Sequence, residues 1–427
     1  MLQNENGVLF PSTLSARLRD EFYFVDRDGD GAERLFFDNS GGALRLRRAV
    51  EAKCALEAYP DCPDRPHERA LYLREIVEHG TREILSTVFG ASEGALITEL
   101  TASQAMFHMV GMILEHVPGG NVVVSSLEHP SAFDAVCYHA KRYGKEVRVI
   151  PADPVSGGIL PAAAAALVDE DTCLLSVMAA SNVSGYVMDL PAIVQAARAK
   201  KPGLYIISDG VQHVPHCSMD VQALALDGAN FAPYKFFGVR GCGFAYVSPR
   251  VAALPHRKLL GKPQETFALG TATPGNFAAM LAVIDYVREI GRELEGEGTA
   301  REEFVRGMHR ISLHERALLN ILLNGTEKAR GLRHIPGINV YADGAPLARR
   351  DLIAAIGVEG MDFSAAAIAF KERGVILAER TRDSMYAKRI VEALEMPGAL
   401  RVSPLHCHNT EDIERFLAVC EEIAVRS

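Results

Sequence analysis

Between residues 95 and 232 the chain alternates short apolar runs with stretches of helical periodicity. Ala95–Glu99, Asn121–Ser126, Glu146–Ile150, Thr172–Met178 and Leu204–Ser208 are strand-like and rich in Val, Ile and Leu; helical segments separate them. This alternation predicts an α/β fold with a largely parallel sheet. Such sheets hold their ligands beyond the carboxyl ends of the strands. Two of those ends carry opposite charges. The run ending at Ser208 is followed by Asp209, and the run around Ala229–Ala232 by Lys235.

An acid and an amine placed so meet the needs of one cofactor. Pyridoxal phosphate takes a lysine as its covalent anchor and an acid beside its ring nitrogen. The acid keeps that nitrogen protonated, because a nearby opposite charge favours the charged form. An isolated Asp and Lys of this kind are common, so the pair gains weight only from its surroundings. After Ala95–Glu99 come Thr101, Ala102 and Ser103, opening a long helix. A helix start offers free N–H groups and a positive dipole end to a phosphate, although Thr101 also suits simple N-capping. His129 follows the next strand and is able to lie flat on a planar ring. Asn182 follows the Thr172 strand and offers a short polar group to the ring oxygen. Near the N-terminus, Arg34–Gly42 reads as a strand entering a small-residue loop, Asn39-Ser40-Gly41-Gly42, where backbone closely approaches a ligand.

Length and composition set the frame. A chain of 427 residues exceeds one average domain, so two lobes are expected. We expect a large cofactor-binding domain over 33–285 and a small α+β domain from 1–32 and 286–427. A helical connector covers 291–325. The net charge of −9 argues against nucleic acid and anionic membranes as partners, and no apolar run approaches the roughly 20 residues of a membrane span. The first residues, Met-Leu-Gln-Asn-Glu-Asn, lack a signal-peptide pattern. The eight cysteines are scattered without a Cys-x-x-Cys pair, which suggests neither a metal site nor a disulfide framework. A reduced, cytoplasmic protein is the simplest expectation.

Taken in order, these motifs resemble the class V aminotransferases. These are fold-type-I pyridoxal-phosphate enzymes with a mostly parallel seven-stranded sheet, and they include the cysteine desulfurases. The likeness runs from about residue 35 to 420 and is nearest to the cysteine-desulfurase-like group. It implies that His129 stacks on the ring, that Asn182 and Gln212 face the ring oxygen, and that Asp209 pairs with the ring nitrogen. Lys235 is then the covalent anchor, with Thr101 and Ala102 at the phosphate. Thr271, after Gly270, reaches the phosphate of a neighbouring subunit, which implies a homodimer with shared sites. Arg401 grips the substrate carboxylate with its two-pronged guanidinium, near Asn39.

The departures are as informative. Where the family often has Ser-x-His-Lys, this chain has Ala232-Pro233-Tyr234-Lys235, so a phosphate hydroxyl is lost and Tyr234 substitutes. Where persulfide-carrying desulfurases have Arg-Thr-Gly-x-x-Cys, this chain has Arg380-Thr381-Arg382-Asp383-Ser384-Met385, without a cysteine. Arg382 is expected to bind a second anionic group on the substrate, and Cys407 to be a packed small residue. The expected function is a carbon–sulfur or carbon–selenium lyase acting on a small amino acid. Class V aminotransferase and epimerase are the alternatives, and a binding protein without turnover is the alternative of another class.

Overall fold

The computed structural model describes residues 5–426; the first four residues, part of the segment read for a signal peptide, lie outside it. The strands, in chain order, are β1 Leu35–Phe36, β2 Ala95–Glu99, β3 Asn121–Ser125, β4 Glu146–Ile150, β5 Thr172–Ser176, β6 Tyr205–Asp209 and β7 Gly228–Phe231. They continue with β8 Gly243–Val247, β9 Ile338–Tyr341, β10 Ala354–Val358, β11 Val375–Ile376, β12 Ala378–Arg380 and β13 Ala399–Val402. β2 to β8 make one seven-stranded sheet in the order β2-β8-β7-β6-β5-β3-β4. The pairs β3/β4, β3/β5, β5/β6 and β6/β7 are parallel, while β8 runs antiparallel to both β2 and β7. β3, β5 and β7 are buried along their whole length, as expected of strands covered by helices on both faces.

The second lobe carries a four-stranded antiparallel sheet, β12-β13-β10-β9, and β1 and β11 form a separate parallel pair. β10 and β12 were not singled out in the sequence. β10 is only five residues, Ala-Ala-Ile-Gly-Val, and all five are buried, so it has no alternating pattern to read. The Gly374–Leu377 strand expected from sequence shrinks to Val375–Ile376 and pairs with β1 rather than joining the larger sheet.

One long helix contributes to the cores of both lobes. The helix Ala300–Asn324 contributes Phe304, Met308 and Ile311 to the main core, and Leu318, Leu319, Leu322 and Leu323 to the core of the second lobe. The N-terminal helix Ser12–Asp20 packs Leu14 and Leu18 into the main core. This packing supports a division within the Ala300 helix. Among the described residues, no helix is long and apolar enough to cross a membrane.

Candidate active site

The parallel strands deliver their polar ends to one place. Asp209 is the last residue of β6 and stands in register with Asn230 of β7, whose carbonyl accepts the Gly210 N–H at 3.1 Å. Beyond β7 the chain turns tightly through Ala232–Gly238. Lys235 N–H donates to Ala232 O at 3.0 Å, Gly238 N–H donates to Pro233 O at 2.9 Å, and Phe237 adopts φ +60°. The turn leaves Lys235 inside the protein, 8% exposed. On the neighbouring strand, the start of the helix Ala102–His116 lies directly on β8. A Cβ on Gly243 would come within 2.1 Å of Ala102 N, so only glycine fits there. Asn230 Nδ2 donates to Ala102 O at 3.2 Å and ties the helix start to β7.

These elements enclose a cavity of about 230 Å³. Nine of the residues named from sequence line it together: Thr101, Ala102, Ser103, His129, Asn182, Asp209, Gln212, Tyr234 and Lys235. Arg240 lines it too and was missed. Its signal was weak: a lone arginine between glycines, five residues after the lysine.

Burial governs the ionisation of the site. Lys235 is pushed down to about 7, first by burial and then by the charge of Arg401, with Asp209 pulling the other way. Burial raises the Asp209 carboxyl, opposed by the Val211 N–H (3.0 Å) and by Lys235. A cation placed beside Asp209 reverses that shift. His129 is pushed down to about 3 by burial and by Lys235 and Arg389, so its imidazole is neutral. It caps the Pro130–Arg142 helix through Ser131 N–H, and Tyr386 stacks on it with ring centres 6.0 Å apart.

Asn182 and Gln212 are buried, and their side-chain oxygens have no partner among the described residues. Unpaired buried amides are costly, and both line the cavity, where a polar planar ligand satisfies them. At the other end, Thr101 Oγ1 accepts from Gln104 N–H at 3.1 Å, so Thr101 does cap its helix. The N–H groups of Ala102 and Ser103 remain without a partner among the described residues. Residues present therefore fit pyridoxal phosphate: a lysine of low basicity, an acid for the ring nitrogen, unpaired amides at the ring and a helix start for the phosphate.

The expected substrate residues divide. Arg401, on the central strand β13, is 1% exposed; it donates to Asp38 Oδ1 at 2.7 Å and to Asn182 O at 3.2 Å. It adjoins the site without lining the cavity. Asn39 is not free for substrate in this structure. Its Nδ2 donates to Phe36 O and Ser403 O, and its Oδ1 accepts from Leu44 N–H, so it clamps the small-residue loop. Arg382 is likewise turned away, exposed and donating to Met396 O at 3.1 Å. Arg380 of the same stretch does not line this cavity, but its charge acts on it. It is lowered to about 10 by burial and by Arg401, and its charge in turn weighs on His129 and Lys235. Thr271 lies on an exposed loop outside the cavity. Cys407 is 1% exposed and its thiol is pushed well up by burial.

The sequence profile of the family described as Aminotransferase class-V matches residues 35–416. A cysteine desulfurase of Salmonella dublin is 26% identical over 302 residues, 66% of this chain and 73% of that protein. The solved structure of a cysteine desulfurase from Thermococcus onnurineus NA1 superposes with a TM-score of 0.78 at 20% identity, over 92% of this chain and 95% of that one. A cysteine desulfurase from Escherichia coli gives a TM-score of 0.76 at 18% identity, over 98% and 99%.

Proposed function

Since the chain belongs to the class-V aminotransferase family and is a pyridoxal-phosphate-dependent enzyme of cysteine-desulfurase-like type, we propose that it cleaves a carbon–sulfur or carbon–selenium bond in a small amino acid. The observation that carries this reading is the convergence of buried Lys235, Asp209 and Arg401 on one site. Pyridoxal phosphate, when bound, supplies a sink for the electron pair left by a bond broken at the substrate's α-carbon.

The residues have distinct tasks in this reading. Arg401 pairs with the substrate carboxylate and so fixes which α-carbon bond faces the cofactor. Lys235, with a basicity near neutrality, removes the α-proton as general base. Asp209 holds positive charge at the ring nitrogen, and neutral His129 covers the ring without adding a second cation. With the electron pair displaced toward the β-carbon, the sulfur or selenium substituent leaves with that bond's electrons.

The stretch Arg380–Met385 presents Met385, 79% exposed, at the position where the motif of persulfide-carrying desulfurases has its cysteine. This supports direct release of the leaving group rather than its capture on that loop. The exposed position of Thr271 supports a homodimer in which that residue serves the neighbour's phosphate. Sedimentation tests it: a monomer active at high dilution contradicts the shared site.

The test of the reaction is to incubate the holoenzyme with a panel of amino acids and identify products. Sulfide or selenide, with no persulfide on the protein, is expected. A new amino acid formed from an added keto acid would make it an aminotransferase, and a racemised substrate an epimerase. A colourless protein that cannot be reconstituted would make it a binding protein.

A further inference from the structure

The corner of the cavity beside Tyr234 is crowded with positive charge. Arg240 lies over the Tyr234 ring, its guanidinium carbon 4.4 Å from the ring centre, and Arg45 lies 6.0 Å from the same centre. Neither guanidinium pairs with a carboxylate among the described residues. Arg45 is pushed down to about 10 by burial and then by the charge of Arg240. Its Nη1 donates to the carbonyls of Ala43 and Tyr234, which fixes it behind the turn. Arg240 makes no such bonds and lines the cavity. It packs against Gly42, where an added Cβ would meet its Nη2 at 2.9 Å, so the small-residue loop makes room for this side chain. Arg240 is exposed on its outer side, and two guanidiniums held together without an acid make this corner electropositive and favourable to an anion.

The other donors of this corner are neutral. Positions 102 and 232 are alanine, and Thr101, Ser103 and Tyr234 line the cavity with uncharged hydroxyl side chains. The free donors at the helix start are the Ala102 and Ser103 N–H groups, and these are neutral. We propose that Arg240 is the counter-cation of the cofactor phosphate in this chain, adding charge-assisted hydrogen bonds to those of the neutral donors around it. Arginine suits this task because its planar fork matches phosphate oxygens in pairs. Arg45 sets the position of the Tyr234 backbone and reinforces the field.

The experiment compares two aldehydes. Apoenzyme, wild type and Arg240→Gln, is titrated with pyridoxal phosphate and with pyridoxal, which lacks the phosphate; binding is read by absorbance and protein fluorescence, without turnover. Loss of one charge-assisted contact predicts roughly 10- to 100-fold weaker binding of pyridoxal phosphate, with pyridoxal unchanged. Inorganic phosphate is expected to compete with pyridoxal phosphate less effectively in Arg240→Gln than in wild type, and Arg240→Lys to recover part of the lost affinity. Because pyridoxal reports the ring end of the site, it separates lost phosphate binding from a damaged fold. Equal weakening of both aldehydes, or unchanged affinity for pyridoxal phosphate, overturns the proposal.

Discussion

Arg401 and Asp38 face each other at 2.7 Å, from segments far apart in sequence, with the guanidinium buried and the carboxylate about one quarter exposed. Asp38 offsets the cost of burying Arg401 and also occupies a contact that a substrate carboxylate needs. Asp38→Asn is therefore expected to lower KM for the amino acid substrate while lowering the melting temperature, because a buried charge loses its partner. Steady-state kinetics and thermal melts read the two effects separately. A higher KM would mean that Asp38 orients Arg401 for substrate rather than competing with it.

Lys235→Ala is expected to abolish turnover and the covalent attachment of the cofactor. Borohydride treatment followed by mass spectrometry of peptides checks this directly. A label that persists in the variant places the attachment on another lysine.

Asp209→Asn keeps the shape of the side chain and removes its charge. We expect the fold and cofactor binding to survive, and kcat to fall on the order of 100-fold or more. Near-normal rates would show that the ring nitrogen does not depend on this acid.

Glu128 gives a prediction about stability rather than rate. It is fully buried, accepts from Met178 N–H at 2.6 Å and Ser125 Oγ at 2.8 Å, and is pushed up to about 8 by burial and then by Asp209. In the unfolded chain it ionises near pH 4.3. Between that pH and about 8 the folded state binds the extra proton, so stability falls as pH rises through this window and levels off above it. Glu128→Gln keeps both accepted bonds and removes the titration. Urea midpoints across the window should fall less steeply in the variant. Parallel slopes for both proteins would place the buried proton elsewhere.

Cys407→Ala should retain most of its activity, because a thiol that is 1% exposed and hard to ionise is a poor sulfur carrier. A variant that binds cofactor but is inactive, with a persulfide trapped on the wild type, would restore a persulfide mechanism through this residue.

The site was more legible than the lobe around it. Asp209, Lys235, His129 and Asn182 each follow a run of apolar residues, and a parallel sheet gathers such ends at one edge whatever the loops do. Asn39 and Arg382 misled for a shared reason: their side chains hydrogen-bond backbone carbonyls made near by folding, Ser403 and Met396, which no local pattern reveals. Arg240 was overlooked because its meaning depends on Tyr234 and Gly42, not on its own neighbours. The two-residue strands β1 and β11 carry no periodicity, and only their pairing makes them strands.

That pairing also orders events during synthesis. Leu35 waits for Val375, and Asp38 bridges Ser403, so the first strand of the chain has no partner until nearly the last part leaves the ribosome. By then the sheet that carries Asp209 and Lys235 is already complete in sequence. A nascent chain stopped before β11 retains the residues of the ring end but lacks Arg401, and its exposed apolar Leu35–Phe37 segment is a natural target for chaperones. The residues of the cofactor end, Thr101 to Lys235, are thus all synthesised before Arg401, the residue assigned to the substrate carboxylate.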